Sequence, residues 1–218
     1  MNDDLREARL AQVAAQRLGW VRCAVEHVHH RHNASAILRT CDALGVHHVH
    51  LVGKDRFQPS RGPSMGAARW LALHRHPTPR EALDALAAEG VDLWVADLSP
   101  EAVTPADLPL DRPVCLWFGA EVLGVGAEAR EAARGVVTVP MRGFAQSLNV
   151  SVAAALALHV VAERTRREHG AEARLSDEER EATLTRWLAR ERADHDAIAA
   201  RTRALELLGQ TVGSGLAG

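Results

Sequence analysis

No stretch of this 218-residue chain approaches the roughly 20 consecutive apolar residues needed to cross a bilayer. Its start shows no basic segment followed by an apolar run and a small-residue cleavage site, so no secretory leader is expected and the chain is placed in the cytoplasm. Cysteine is scarce. Cys23, Cys41 and Cys115 are odd in number, widely spaced and without a C-x-x-C pair, which excludes a disulfide framework and a zinc knuckle and predicts buried, reduced thiols. Also missing are a G-x-G-x-x-G opening a helix, a G-x-x-x-x-G-K-[ST] loop and a G-x-S-x-G elbow around Ser147, so dinucleotide, nucleoside triphosphate and serine-hydrolase sites have no support. There is no internal repeat and no low-complexity linker.

What is present is 47% apolar residues, enough for a proper core, and a net charge of -2 that hides an asymmetry. Residues 1–80 carry 12 Lys and Arg against 6 Asp and Glu, while the remainder carries 14 against 22. Nine of the twelve histidines also fall in residues 1–80, so an anionic partner is expected to meet this part, more strongly at lower pH. The histidines at 27, 29, 30, 32, 47, 48 and 50 come with no Cys or carboxylate at zinc spacing; they are read as anion-contacting or solvent-exposed, and no metal is expected.

The pattern predicts a helix over 4–18, with Arg6, Arg9 and Arg17 within about 80° of one another as a basic stripe. Apolar runs at 21–28, 47–52, 91–96, 114–118 and 136–139 have the length and branching of buried strands. Helices are predicted at 34–44, 79–89, 127–133 and 149–161, and a loop at 59–64. Alternation of the two types implies an α/β fold on a parallel sheet. The stretch 150–162 is apolar all round and is expected to be buried, against another subunit if not within its own. Leu184, Trp187 and Leu188 predict a C-terminal helix docked by one face, ending in a frayed tail from 211. The expected organisation is a basic N-terminal helix at 1–19, a central domain at 20–162 and a helical extension at 163–218.

Three segments place polar residues, glycine or proline at strand ends, where ligands collect in open α/β sheets. The first is His-Asn-Ala-Ser-Ala-Ile-Leu-Arg-Thr at 32–40, with Asn33 as an expected N-cap and Arg39 projecting from the second turn, a combination that suits a phosphate. The second, Trp-Phe-Gly-Ala-Glu-Val-Leu-Gly-Val-Gly at 117–126, runs a strand into a glycine-rich loop that lets backbone approach a ligand. In the third, at 139–153, Gln146, Ser147 and Asn149 precede the apolar helix, and capping accounts for only part of that polar run.

In this order the trio resembles the three motifs of the SPOUT methyltransferases, and in detail those of the TrmH group of tRNA guanosine 2'-O-methyltransferases. The likeness extends from about Arg6 to the arginines near 167 and includes Gly-Ala-Ala-Arg-Trp-Leu at 66–71; it departs at Ala120, often polar in the group. It implies the SPOUT fold, a parallel sheet with helices on both faces and a deep C-terminal trefoil knot, in a homodimer whose active sites are shared between subunits. S-adenosylmethionine is the implied methyl donor, without metal, and tRNA the implied substrate, most specifically guanosine 18 of the D-loop. An rRNA or wobble-position enzyme of the same fold, or a non-catalytic RNA-binding protein on that scaffold, stays open. Carried over position by position, Ala96, Val139 and Leu148 would contact the cofactor through backbone groups, with Gly119 and Gly124 close by. Asn33, Arg39, Glu121, Ser147 and Asn149 would form the reactive shell, Arg39 acting as base or as phosphate clamp. RNA would be met by Arg6, Arg9 and Arg17 and by Arg164, Arg166 and Arg167, two patches expected to flank the site. No obligatory protein partner is implied.

Overall fold

A computed structural model of the chain describes residues 3–27, 31–53, 63–120 and 123–214, the side chains of 3, 4, 31, 63–65 and 198–214 excepted. It resolves into two compact units, 1–15 with 177–218, and 16–176. The smaller unit pairs helix α1 (Asp3–Ala14) with the long C-terminal helix. The larger unit runs β1 (Val21–Glu26), α2 (Arg31–Leu44), β2 (His48–Val52), α3 (Pro63–Ala68), β3 (Ala72–His76), α4 (Pro79–Ala88), β4 (Asp92–Ala96), β5 (Val114–Phe118), α5 (Ala127–Ala132), β6 (Gly135–Val137) and α6 (Val150–His169). The C-terminal helix, α7 (Asp177–Ser214), completes the smaller unit. There Arg6 is ion-paired with Glu191, Trp187 is buried, and Leu184 and Leu188 are half-buried, the docking face that their spacing predicts. Helix continues four residues into the expected tail, to Ser214.

Six parallel strands form one sheet in the order β3-β2-β1-β5-β4-β6. On one face Cys23, Val25, Val49, Leu116 and Phe118 of the strands pack with Ile37 and Leu38 of α2 and Leu158 and Val161 of α6. On the other, Ala24, Val95, Cys115 and Trp117 meet Leu83 and Leu86 of α4 and Ala129 of α5. Covered on both sides, β1, β2 and β5 are buried along their whole length, which is why apolar residues dominate them: β5 is apolar throughout, and β1 and β2 are interrupted only by Arg22 and Glu26 and by His48 and His50. Each fully buried Leu, Ile or Val contributes about 1.5–3 kcal/mol. All three cysteines are free and buried, and burial raises the Cys115 thiol far above its ordinary range.

The α4 and α5 face turns polar towards the β3 edge. Strand alternation puts Arg22, Glu26, His48 and His50 on it. His48 Nδ1 lies 3.0 Å from His74 Nε2 and His50 Nδ1 lies 3.0 Å from His76 Nε2, with successive rings stacked at centroid distances of 4.6 to 5.3 Å. Burial, reinforced by the Arg22 charge, drives His48 down to about 2 and His50 down to about 3. The expectation of exposure is therefore corrected for 47, 48 and 50, all three of which are buried, and the expected gain of charge as the pH drops is corrected for 48 and 50. His27 and His32 are exposed, and His29 and His30 lie outside the described residues.

Other local expectations shift as well. Helix α1 stops at Ala14, and Arg17 turns inward to 1% exposure, its guanidinium on the Asp42 carboxylate at 2.5 Å and on the Asp42 carbonyl at 3.1 Å. The three-arginine stripe does not form, because the last of the three is past the helix end and its charge is matched by Asp42 within the sheet unit. Helix α2 starts at Arg31, so Asn33 lies inside it and is not its N-cap, and Arg39 falls in the third turn. Of the loop expected at 59–64, residues 59–62 lie outside the described residues and α3 begins at Pro63. Helix α6 continues to His169, and in the single chain it is not buried all round: Val152 and Leu156 are 45% and 46% exposed. Among the described residues no helix is long and apolar enough to cross a membrane.

Candidate active site

From β1 the chain steps out to β2 and β3, then resumes on the opposite side of β1 at β4 and β5. Such a reversal leaves a crevice beyond the carboxyl ends of the strands. Next to that switch, beyond the carboxyl ends of β5, β4 and β6, lies a cavity of about 440 Å³, within the range of about 300–1,000 Å³ usual for small-molecule sites. Ala96 and Asp97 close β4 on it, Phe118 and Gly119 close β5, and Thr138, Val139 and Met141 continue from β6. Ser147, Leu148, Asn149 and Val150 bring in the start of α6.

The turn after β5 doubles back tightly. Ala120 N–H donates to the Gly124 carbonyl at 3.1 Å, Gly124 N–H donates to the Ala120 carbonyl at 2.8 Å, and Gly124 takes a φ of +68°. A Cβ on Gly119 would collide with the Gly124 carbonyl, so glycine is required there by close backbone approach. Asn149 caps α6: its Oδ1 accepts from Ser151 N at 2.9 Å and from Ser151 Oγ at 2.6 Å. Its amide nitrogen donates to Asn33 Oδ1 at 3.1 Å, joining the first and third motifs across 116 residues.

One cavity thus gathers all five residues expected at the cofactor, Ala96, Gly119, Gly124, Val139 and Leu148, together with Ser147 and Asn149 of the expected reactive shell. Asn33 reaches it through Asn149. Arg39 does not line it: the side chain is exposed on α2, about 120° around the helix from Asn33. Glu121 lies outside the described residues. Among the described residues no group of three His, Cys, Asp or Glu is placed to hold a metal ion.

Among the cavity-wall residues that are not expected site residues, Asp97, Thr138 and Met141 bring a carboxylate, a hydroxyl and a thioether. For Asp97 the signal was present, a carboxylate directly after an apolar run.

The sequence profile of the SpoU rRNA Methylase family matches residues 21–159. The chain belongs to this family. The SpoU family member is 37% identical over 188 residues to a Thermus thermophilus protein named tRNA (guanosine(18)-2'-O)-methyltransferase, covering 85% of this chain and 96% of that relative. Its fold matches the crystal structure of the Aquifex aeolicus TrmH/SpoU tRNA modifying enzyme with a TM-score of 0.77 at 32% identity, over 86% of this chain and 97% of the other. It also matches the SpoU methyltransferase AviRb of Streptomyces viridochromogenes, solved in complex with the cofactor AdoMet, with a TM-score of 0.62 at 26% identity, over 71% and 60% of the two chains.

In the SpoU family member the expected RNA-facing arginines are not equivalent. Arg9 is exposed and hydrogen-bonded to Gln12 of its own helix at 2.8 Å, and Arg167 is 72% exposed. Arg164 donates to the Pro105 and Leu108 carbonyls and to Glu168, and Arg166 donates to the Leu44 carbonyl and to Glu163. At 1.5 Å per residue, 164–167 lie about 22–27 Å along α6 from Asn149. The second patch therefore sits at the far end of the helix and does not flank the cavity.

Proposed function

We propose that the chain is an S-adenosylmethionine-dependent tRNA 2'-O-ribose methyltransferase acting on guanosine 18 of the D-loop. The observation that carries this reading is the 37% identity, over 85% of the chain, to a relative named for that reaction, in a chain whose three motifs line or adjoin one cavity. The cavity fits the donor: apolar walls at Ala96, Phe118, Val139 and Leu148 suit a purine, and the close-packed glycine turn offers backbone groups free of side chains. When bound, S-adenosylmethionine supplies a methyl group already activated by its sulfonium.

What the chain must then do is bring a ribose 2'-hydroxyl into line and accommodate the charge that develops on its oxygen. Ser147 and Asn149 stand at the cavity rim with hydroxyl and amide groups, and the bond from Asn149 to Asn33 fixes the start of α6. Arg39 is a phosphate clamp in this reading, since a guanidinium keeps its proton in proteins. Because the side chain does not line its own cavity, the partner's Arg39 completes each site.

A homodimer follows, and exposed apolar groups support it. Val152 and Leu156 sit one turn apart on α6, and Leu98 and Phe144 on the flanking loops are also exposed. The knot is part of the same proposal, supported by an edge strand β6 that is followed by α6 packing back on β1 and β5. The tRNA is gripped by Arg6, Arg9 and Arg167, and a cytoplasmic location goes with that substrate. Incubating the protein with methyl-labelled S-adenosylmethionine and either total tRNA or rRNA tests the substrate: label is expected in tRNA, and label confined to rRNA would reverse the assignment.

A further inference from the structure

The wall turn after β5 is held from two sides by buried or half-buried carboxylates that no motif contains. From β1, Glu26 is 4% exposed, and its Oε2 accepts both from Trp117 Nε1 at 2.8 Å and from Gly126 N at 3.0 Å. A Cβ on Gly126 would come within 2.5 Å of Glu26 Oε1, so the backbone presses directly on the carboxylate. From β4, Asp97 lines the cavity, accepts from Leu98 N at 2.7 Å and is ion-paired with Arg130 of α5. Arg130 in turn donates from Nε to the Val125 carbonyl at 3.0 Å. The two attachments therefore grip adjacent residues, 125 and 126, of the arm that carries Gly124 into the cavity wall.

We propose that Glu26 and the Asp97–Arg130 pair are positioning residues for donor binding. They set the backbone of the turn against the cavity so that Gly119 and Gly124 meet the S-adenosyl group at the right depth. A buried carboxylate without its two donors, or two N–H groups without their acceptor, carries the full desolvation penalty, so each bond specifies the turn's position more sharply than a surface contact could. Charge is not the requirement at Glu26: one oxygen makes both bonds, and a Gln side-chain oxygen can make them too. At Asp97 the charge matters, because the partner is a guanidinium. This rests on the reading that the cavity holds S-adenosylmethionine.

The test measures S-adenosylhomocysteine affinity by calorimetry, without turnover, and then KM for S-adenosylmethionine against kcat with tRNA. Glu26→Ala and Arg130→Ala should each weaken S-adenosylhomocysteine binding by about tenfold or more and raise KM for the donor similarly, with kcat at saturating donor and KM for tRNA within about threefold of the parent. Glu26→Gln should stay within about threefold throughout, and the split between a raised donor KM and an unchanged kcat in Glu26→Ala is what a mere loss of stability would not produce. Asp97→Ala combined with Arg130→Ala should be no worse than the more impaired single variant, since the two act as one tie. If Glu26→Ala does not fold, the half-exposed Arg130 decides the matter with Gly126→Ala, which crowds the same carboxylate. Parent-like affinity in a folded Arg130→Ala and Glu26→Ala or Gly126→Ala, or Glu26→Gln as impaired as Glu26→Ala, overturns the proposal. Failure of the parent protein itself to bind S-adenosylhomocysteine overturns the function beneath it instead.

Discussion

Acid should weaken this protein well before its carboxylates titrate, and the paired histidines of β2 and β3 give the size of the effect. His48 and His50 are held neutral, at about 2 and about 3, by burial first and then by Arg22, His74 and further ring neighbours. In the unfolded chain both would titrate near 6.5. Below that value the unfolded chain takes up protons that the folded chain refuses, so their contribution is intact above about pH 6.5 and is lost progressively as the pH falls towards 3. At pH 5 the loss is about 2 kcal/mol for each histidine, about 4 kcal/mol for the two as an upper figure. Against a typical total of about 5–15 kcal/mol that is a large fraction. Urea unfolding followed by far-UV circular dichroism between pH 7.5 and 5.0 measures it, with His48→Gln/His50→Gln as the comparison. The parent midpoint should fall steeply over this window and the variant's much less. Parallel pH profiles for the two proteins would refute the buried-histidine argument.

The remaining expectations concern the cavity. Gly119→Ala should abolish S-adenosylhomocysteine binding measured by calorimetry, because its Cβ has no room beside the Gly124 carbonyl. Asn149→Ala removes a helix cap and the bond to Asn33, so thermal unfolding should show a loss of about 1 kcal/mol while methyl transfer drops far more than that stability change explains. Arg39→Ala should eliminate turnover and leave donor affinity near that of the parent; near-normal methylation rates in that variant would remove Arg39 from the mechanism.

Where sequence and structure agree, burial on both faces is the reason. Strands β1, β2, β4 and β5 announce themselves as apolar runs. The cavity collects residues from the second and third of the glycine and polar segments near their ends, and the first joins it through Asn33. Strand β3, Ala-Leu-His-Arg-His, hid because its inward positions are histidines that satisfy other histidines. Strand β6 ends at Val137, two residues before the expected 139, because Val139 leaves the sheet to wall the cavity. Helix α6 outran its apolar segment because Arg164 and Glu168, four residues apart, pair along its polar end. Periodicity also misled at Arg17: angular position on a helix says nothing once the helix has stopped. The Glu26–Trp117 bond joins residues 91 apart, and no local pattern could have revealed it.

Delivery of a methyl group from this cavity to one ribose oxygen can be read from the product itself, by nuclease digestion and mass spectrometry of unmodified tRNA after incubation with S-adenosylmethionine. The expected product is 2'-O-methylguanosine at position 18 and nowhere else; a methyl group found on a base, or no product at all from a folded, donor-binding protein, would rule that delivery out.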